Sequence, residues 1–144
     1  VYWQRGRRNA ERGKRDSGYH RCCMKPTDLN QRTKRFALDV IAFHDTLGKD
    51  EACRILGRQL LRSGTSVGAN YRAAKRARSN ADFIAKMGIV EEEADECGYW
   101  LELLVDSGRV SVSRAEPLSR EANELVAIAV ASINTARRNS NRTR

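Results

Sequence analysis

The segment from Ile55 to Ala85, ILGRQLLRSGTSVGANYRAAKRARSNADFIA, places the strongest constraint on how this chain can fold. At about 100° per residue, a helix through this segment separates its side chains into stripes. One stripe is apolar or small and predicts a side that faces a core; it comprises Leu56, Leu60, Ser63, Val67, Asn70 and Ala74. The opposite stripe is basic and comprises Arg54, Arg58, Arg62, Arg72 and Arg76. No acidic residue interrupts residues 52–81, so the helix should bury one side and present guanidinium groups on the other.

A third stripe of the same helix contains glycine. Gly57, Gly64 and Gly68 lie on one side together with Leu61. Each glycine inside a helix costs about 1 kcal/mol relative to alanine. Because this cost is repeated on one side, we expect another part of the chain to pack closely there.

The rest of the chain predicts three further amphipathic helices and no alternating strand pattern. The first should run from Thr27 or Asp28 to about Leu47, and the basic helix should start near Asp50, with a bend possible at SGTSVGAN. The third should start at a Ser79 cap and end near Asp106. The fourth should open at Ser113 or Glu116, with Pro117 in its first turn, and end near Arg138. Four such helices joined by short turns predict an all-α, antiparallel up-and-down four-helix bundle.

The basic charge of the chain is concentrated at its ends. The net charge is +9 and the pI is near 9.9, yet the central part is close to neutral. We expect residues 1–26 to form a basic, disordered arm, residues 27–138 the bundle and residues 139–144 a basic tail. The segment MKPTDLN, which begins at Met24, resembles a natural start, so the preceding residues are either an upstream extension or an arm that contacts nucleic acid.

The sequence gives little support to an enzyme, a metal-binding protein or a membrane protein. The four cysteines have neither metal-ligand nor disulfide-framework spacing, which favours reduced thiols and a cytoplasmic protein. A di-iron bundle needs a Glu and a His three residues apart, but His44 has Ile41 at that distance. No stretch of about 18 apolar residues is present, so we expect no membrane span. We therefore expect no catalytic residues, no metal and no cofactor.

The third helix carries a second apolar strip beside its core-facing side. Ala85, Ile89, Trp100 and Leu103 form this strip, and Glu92 and Glu96 lie along it. Two apolar faces on one helix favour two packing partners. We therefore predict a subunit interface at Ile89, Glu92, Glu96, Trp100 and Leu103, the alternative being a broad core face within one bundle.

Residues 56–104, LGRQLLRSGTSVGANYRAAKRARSNADFIAKMGIVEEEADECGYWLELL, resemble the four-helix-bundle family of 23S rRNA intervening-sequence proteins. The later segment EANELVAIAVASINTARRN resembles the last helix of that family, so the likeness covers roughly residues 27–139. The usual family turn has an acidic residue shortly after its Asn. Here Asn70 is followed by Tyr71, Arg72 and Ala73, which makes this stretch more basic.

The resemblance has implications for assembly and function. Family members are similar to the accessory variability determinant of diversity-generating retroelements, a homopentameric barrel with a positively charged surface that works beside a reverse transcriptase and RNA. The resemblance therefore implies a homopentamer, contact with RNA or DNA and an accessory role near a reverse transcriptase, but no defined reaction.

The basic stripe itself predicts nonspecific contact with the nucleic-acid backbone. Arginine binds phosphate through a planar fork, and no aromatic residue is interleaved on this face, so we expect recognition by charge and shape rather than base stacking. The candidate binding residues are Arg54, Arg58, Arg62, Arg72, Lys75 and Arg76. The alternative function is a structural oligomer or protein adaptor, in which these arginines pair with Glu91, Glu92 and Glu96 of a neighbouring subunit.

Overall fold

The computed structural model describes residues 28–142, which form four helices and contain no strand. The helices are α1 (Leu29–Asp45), α2 (Glu51–Ala74), α3 (Asn80–Asp106) and α4 (Val112–Arg142). Each helix packs on the next along the chain, and α1 also contacts α4. Short turns reverse the chain between helices, so the predicted all-α four-helix bundle is confirmed.

Polar side chains cap the helices where the sequence predicts starts. The Asp28 carboxylate accepts hydrogen bonds from the backbone N–H groups of Asn30 and Gln31 at 3.1 and 3.4 Å. Asp50 accepts from the backbone of Cys53 at 3.2 Å, and the Ser79 hydroxyl accepts from Asp82 at 3.1 Å. These side chains satisfy N–H groups that have no partner inside their own helices.

The predicted boundaries need correction at α1 and α4. α1 ends at Asp45, and α4 begins at Val112 and continues to Arg142, so residues 139–142 of the predicted tail are helical. Pro117 therefore lies inside α4 rather than in its first turn. Proline has no N–H to offer the carbonyl of Ser113, but Ser113 is exposed and water can take that place.

The bend predicted at SGTSVGAN does not interrupt α2, which is one continuous helix from Glu51 to Ala74. The predicted arm, residues 1–26, lies outside the described residues.

The core is built from the apolar stripes of all four helices. Its fully buried large side chains include Phe36, Val40, Leu60, Val67, Met87, Leu101, Leu104 and Leu125. Thr33 and Ser63 are also buried, and each donates its hydroxyl to a carbonyl of its own helix, at 2.9 and 2.8 Å. Leu56 and Asn70, which the sequence placed on the core side of α2, are only half-buried.

The glycines of α2 let α1 approach closely, as their spacing predicts. A Cβ atom at Gly64 would lie 2.8 Å from Cγ2 of Val40, and one at Gly57 would lie 2.8 Å from Cδ1 of Leu47. At Gly68 the nearest atom would be the carbonyl oxygen of Thr33 at 3.5 Å, which is an ordinary contact. Leu47 lies just after α1, and the α1 residue nearest to Gly57 is His44, whose Cδ2 atom would be 3.1 Å from the added Cβ. The closest approach of α1 itself to α2 is therefore at Gly64.

Alanine at Gly64 should destabilise the bundle. Val40 is fully buried and β-branched, so it cannot rotate away from a new methyl group. We expect Gly64→Ala to lower the free energy of unfolding by about 1 to 3 kcal/mol in urea denaturation.

Gly88→Ala is the matched control, because a Cβ at that position of α3 meets nothing within 4 Å. It should raise stability by up to about 1 kcal/mol through helix propensity alone. A stabilising effect of both substitutions would contradict the close packing of α1 on α2.

Candidate nucleic-acid interface

The basic side of α2 faces away from the core. Its opposite side is buried beneath α1 and α3 through Leu60, Ser63 and Val67. All six candidate binding residues are exposed, namely Arg54, Arg58, Arg62, Arg72, Lys75 and Arg76. α2 thus exposes Arg54, Arg58, Arg62 and Arg72. The predicted stripe is wrong at its end, because α2 stops at Ala74 and both Lys75 and Arg76 belong to the turn that follows.

Ion pairs divide these cations into two groups. Arg54 pairs with Glu51, one turn earlier on α2. Arg62 reaches α3, where it pairs with Glu96 and with Glu93, the latter at 3.4 Å. The alternative function expected Glu96 of a neighbouring subunit to pair with this stripe, whereas Glu96 is bonded to Arg62 of its own chain.

The second group has no such pair. Arg58, Arg72, Lys75 and Arg76 make no ion pair within residues 28–142. Within the described part of the chain, these side chains can therefore bind an anion without first breaking an ion pair.

Arg62 stabilises a carboxylate that is held between two helices. The Glu93 side chain is only 15% exposed, and its Oε2 atom has no hydrogen-bond partner among the described residues. Burial raises the pKa of Glu93 above the usual glutamate value, while the nearby Arg62 guanidinium opposes that rise. Arg62 therefore joins α2 to α3 and contributes less free charge to the surface than its exposure suggests.

A groove between α1 and α2 adds a cation that the sequence analysis missed. The groove has a volume of about 510 Å³, and Lys34 of α1 and Arg72 of α2 both line it, together with Asn30, Gln31 and Thr65. Lys34 lies far from Arg72 in the sequence, and only the packing of α1 on α2 brings the two residues to one groove. The basic surface thus extends from α2 onto α1.

The predicted interface residues on α3 differ in their exposure. Ile89 is 40% exposed and Glu92 is exposed, whereas Glu96, Trp100 and Leu103 are half-buried, and Trp100 packs against the core. Tyr99, which the prediction omitted, is 53% exposed and its ring lies 4.9 Å from that of Trp100. The outer face of α3 therefore presents Ile89 and Tyr99 as its large apolar groups.

The cysteines of the described bundle are poorly suited to nucleophilic chemistry. Cys53 and Cys97 are both free and buried. Burial raises the pKa of Cys97 to about 11, and hydrogen bonding to the Asp50 carboxylate raises the pKa of Cys53. A raised pKa disfavours the thiolate, which is the reactive form.

Residues 28–142 contain neither a metal-binding cluster nor a helix able to span a membrane. No group of three or more His, Cys, Asp or Glu side chains there is arranged to hold a metal ion. Among the helices described, none combines the length and the apolar character that crossing a membrane requires.

Fold and surface together define a four-helix bundle in which the solvent-facing side of α2 is basic. Comparison with known proteins is consistent with this description. The model of the 23S rRNA-intervening sequence protein family matches residues 25–131, so the chain belongs to that family and the family resemblance is confirmed. The similarity to the accessory variability determinant stays a prediction.

A solved structure shares the fold. It is the crystal structure of a protein of unknown function from the S23 ribosomal protein family of Bacteroides thetaiotaomicron. The identity is 34% and the TM-score is 0.68, and the match covers 72% of this chain and 96% of the other. No curated protein matches the chain.

Proposed function

We propose that this protein is a non-catalytic, oligomeric nucleic-acid-binding protein that contacts the backbone of RNA or DNA. The observation that carries the proposal is a set of four exposed cations on α2 and in the turn directly after it that have no acidic partner within residues 28–142: Arg58, Arg72, Lys75 and Arg76. The family is named after an intervening sequence of 23S rRNA, which makes RNA the first probe to test.

The proposed mode of binding is electrostatic and independent of sequence. Guanidinium groups bind phosphate oxygens through two parallel N–H donors, and each neutralised phosphate releases counterions. Tyr71 is the aromatic residue closest to these cations in sequence, but it is half-buried and packs against the core. Stacking on bases therefore has no support on this face.

We also propose that the protein assembles into a homo-oligomer through the outer face of α3. Ile89 and Tyr99 expose apolar surface there, and Glu92 and Glu96 supply charge beside it. A pentamer is favoured by the family resemblance, and the same resemblance makes a reverse transcriptase a candidate partner. The adaptor alternative places Arg58, Arg72, Lys75 and Arg76 in subunit contacts, since these cations have no acidic partner within residues 28–142.

The double substitution Arg58→Gln and Arg76→Gln tests the binding face. The logarithm of the association constant falls linearly with the logarithm of the salt concentration, and each lost contact with a single-strand phosphate should make that slope shallower by about 0.7. For two lost contacts, the affinity near 0.1 M salt should fall by roughly 25-fold. Fluorescence anisotropy with a labelled single-stranded RNA across a salt series measures both quantities.

The matched control is Lys49→Gln with Arg120→Gln, which removes the same charge from two exposed residues that lie outside α2 and outside the turn after it. It should change affinity far less. Equal losses in both variants would contradict a defined binding face. Dissociation of the oligomer by the Arg58 and Arg76 substitutions, seen by light scattering, would favour the adaptor function instead.

A charge at Ile89 tests the proposed assembly. Ile89→Asp should convert the oligomer to monomers in light scattering, because a carboxylate would be desolvated in an apolar contact. Leu38→Asp is the control, since Leu38 is 51% exposed on α1. Loss of the oligomer only in the Leu38 variant would place the interface on α1 rather than α3.

A further inference from the structure

The two ends of the bundle differ in charge. Asn80 at the start of α3 donates its side-chain amide to the carbonyl of Ala136 at 2.8 Å and also bonds to Ser140. The turn between α2 and α3 therefore lies against the end of α4. At the opposite end, Arg109 bonds to Asp50 at 3.0 Å and joins the α3–α4 turn to the start of α2.

Acidic residues are concentrated at the end that contains Asp50. The two turns there and the helix ends beside them contain Asp45, Asp50, Glu51, Glu102, Asp106 and Glu116. Two acid-free segments instead meet at the Asn80 end, namely residues 52–81 and residues 125–142. Asp28 and Asp82 also lie near the Asn80 end, but more cations than acids are found there. The bundle thus has a more basic end and a more acidic end.

The basic end combines cations from two distant parts of the sequence. The end of α2 and the turn after it supply Arg72, Lys75, Arg76 and Arg78. The last turns of α4 supply Arg137 and Arg138, which are exposed and follow directly on the residue that Asn80 binds. Asn80 therefore places the α2–α3 turn against the part of α4 that immediately precedes Arg137 and Arg138.

The nearest acid in this turn does not neutralise these arginines. Asp82 is bonded to Lys86 of its own helix and accepts the backbone N–H of Arg78 at 3.0 Å. The Arg138 guanidinium donates at 3.4 Å to the carbonyl of Asn134, which is a neutral and weak contact. No ion pair involves Arg137 or Arg138 within residues 28–142.

We infer that the nucleic acid crosses the basic end of the bundle, and that Arg137 and Arg138 of α4 bind phosphates of the same strand that α2 binds. This inference rests on the proposed function and adds a second binding element to it. A patch of clustered positive charge attracts a polyanion over a longer range than isolated cations do. The strand then runs from α2 across the α2–α3 turn onto α4, rather than along α2 alone.

The test is the double substitution Arg137→Gln and Arg138→Gln in the full chain, with the labelled single-stranded RNA used above. Loss of two phosphate contacts should make the dependence of log affinity on log salt concentration shallower by about 1.4, and should lower the affinity near 0.1 M salt by roughly 25-fold. The Lys49→Gln and Arg120→Gln variant controls for the net charge. Thermal melting checks that the variants keep the bundle.

The outcomes separate this inference from the proposed function. If the α4 variant binds like the charge-matched control while the Arg58 and Arg76 variant loses affinity, the inference is overturned and the proposed function stands. If neither variant loses more affinity than the control, both are overturned. A shallower salt dependence in the α4 variant supports a strand that runs from α2 across the α2–α3 turn onto α4.

Discussion

The contact between α1 and the glycine stripe of α2 determines how α2 is rotated about its own axis. Val40 occupies the space in which Gly64 would otherwise carry a side chain, and Leu47 does the same at Gly57. A helix held this closely on one side has little freedom to turn. Because the basic stripe lies away from the core, fixing this rotation holds the cations in solvent.

The cations of α2 perform two different tasks as a result. Arg54 and Arg62 balance carboxylates of their own chain, and Arg62 links α2 to α3 at a site where Glu93 is largely removed from water. The Arg54–Glu51 and Arg62–Glu96 pairs are exposed, and exposed ion pairs contribute about 1 kcal/mol or less to stability. Four other cations form no ion pair within the described residues, so their positive charge remains available to a partner: Arg58, Arg72, Lys75 and Arg76. The surface is therefore less basic at the middle of α2 than a count of arginines indicates.

Much of this architecture could be predicted from the sequence, because hydrophobic periodicity and capping residues are local signals. Asp28, Asp50 and Ser79 each begin a helix as predicted, and the glycine stripe correctly indicated a close neighbour. Of the two predicted starts of α4, Ser113 lies one residue from the observed Val112, whereas Glu116 is too late because Pro117 is tolerated inside an exposed helix as well as in a first turn. No local pattern could show that Arg62 reaches Glu93 and Glu96, or that Lys34 lines a groove with Arg72. These contacts depend on which helices pack side by side, and periodicity within one helix does not encode that.

Binding of RNA at the basic end of the bundle is tested most directly by labelling lysines with an amine-reactive reagent, with and without saturating single-stranded RNA. Mass spectrometry then measures the labelling of each lysine. Lys75 lies at the basic end of the bundle and Lys49 lies at the acidic end, and both are exposed. If RNA binds at the basic end, it should protect Lys75 strongly and leave the labelling of Lys49 unchanged. Unchanged labelling of Lys75, or equal protection of both lysines, would contradict it.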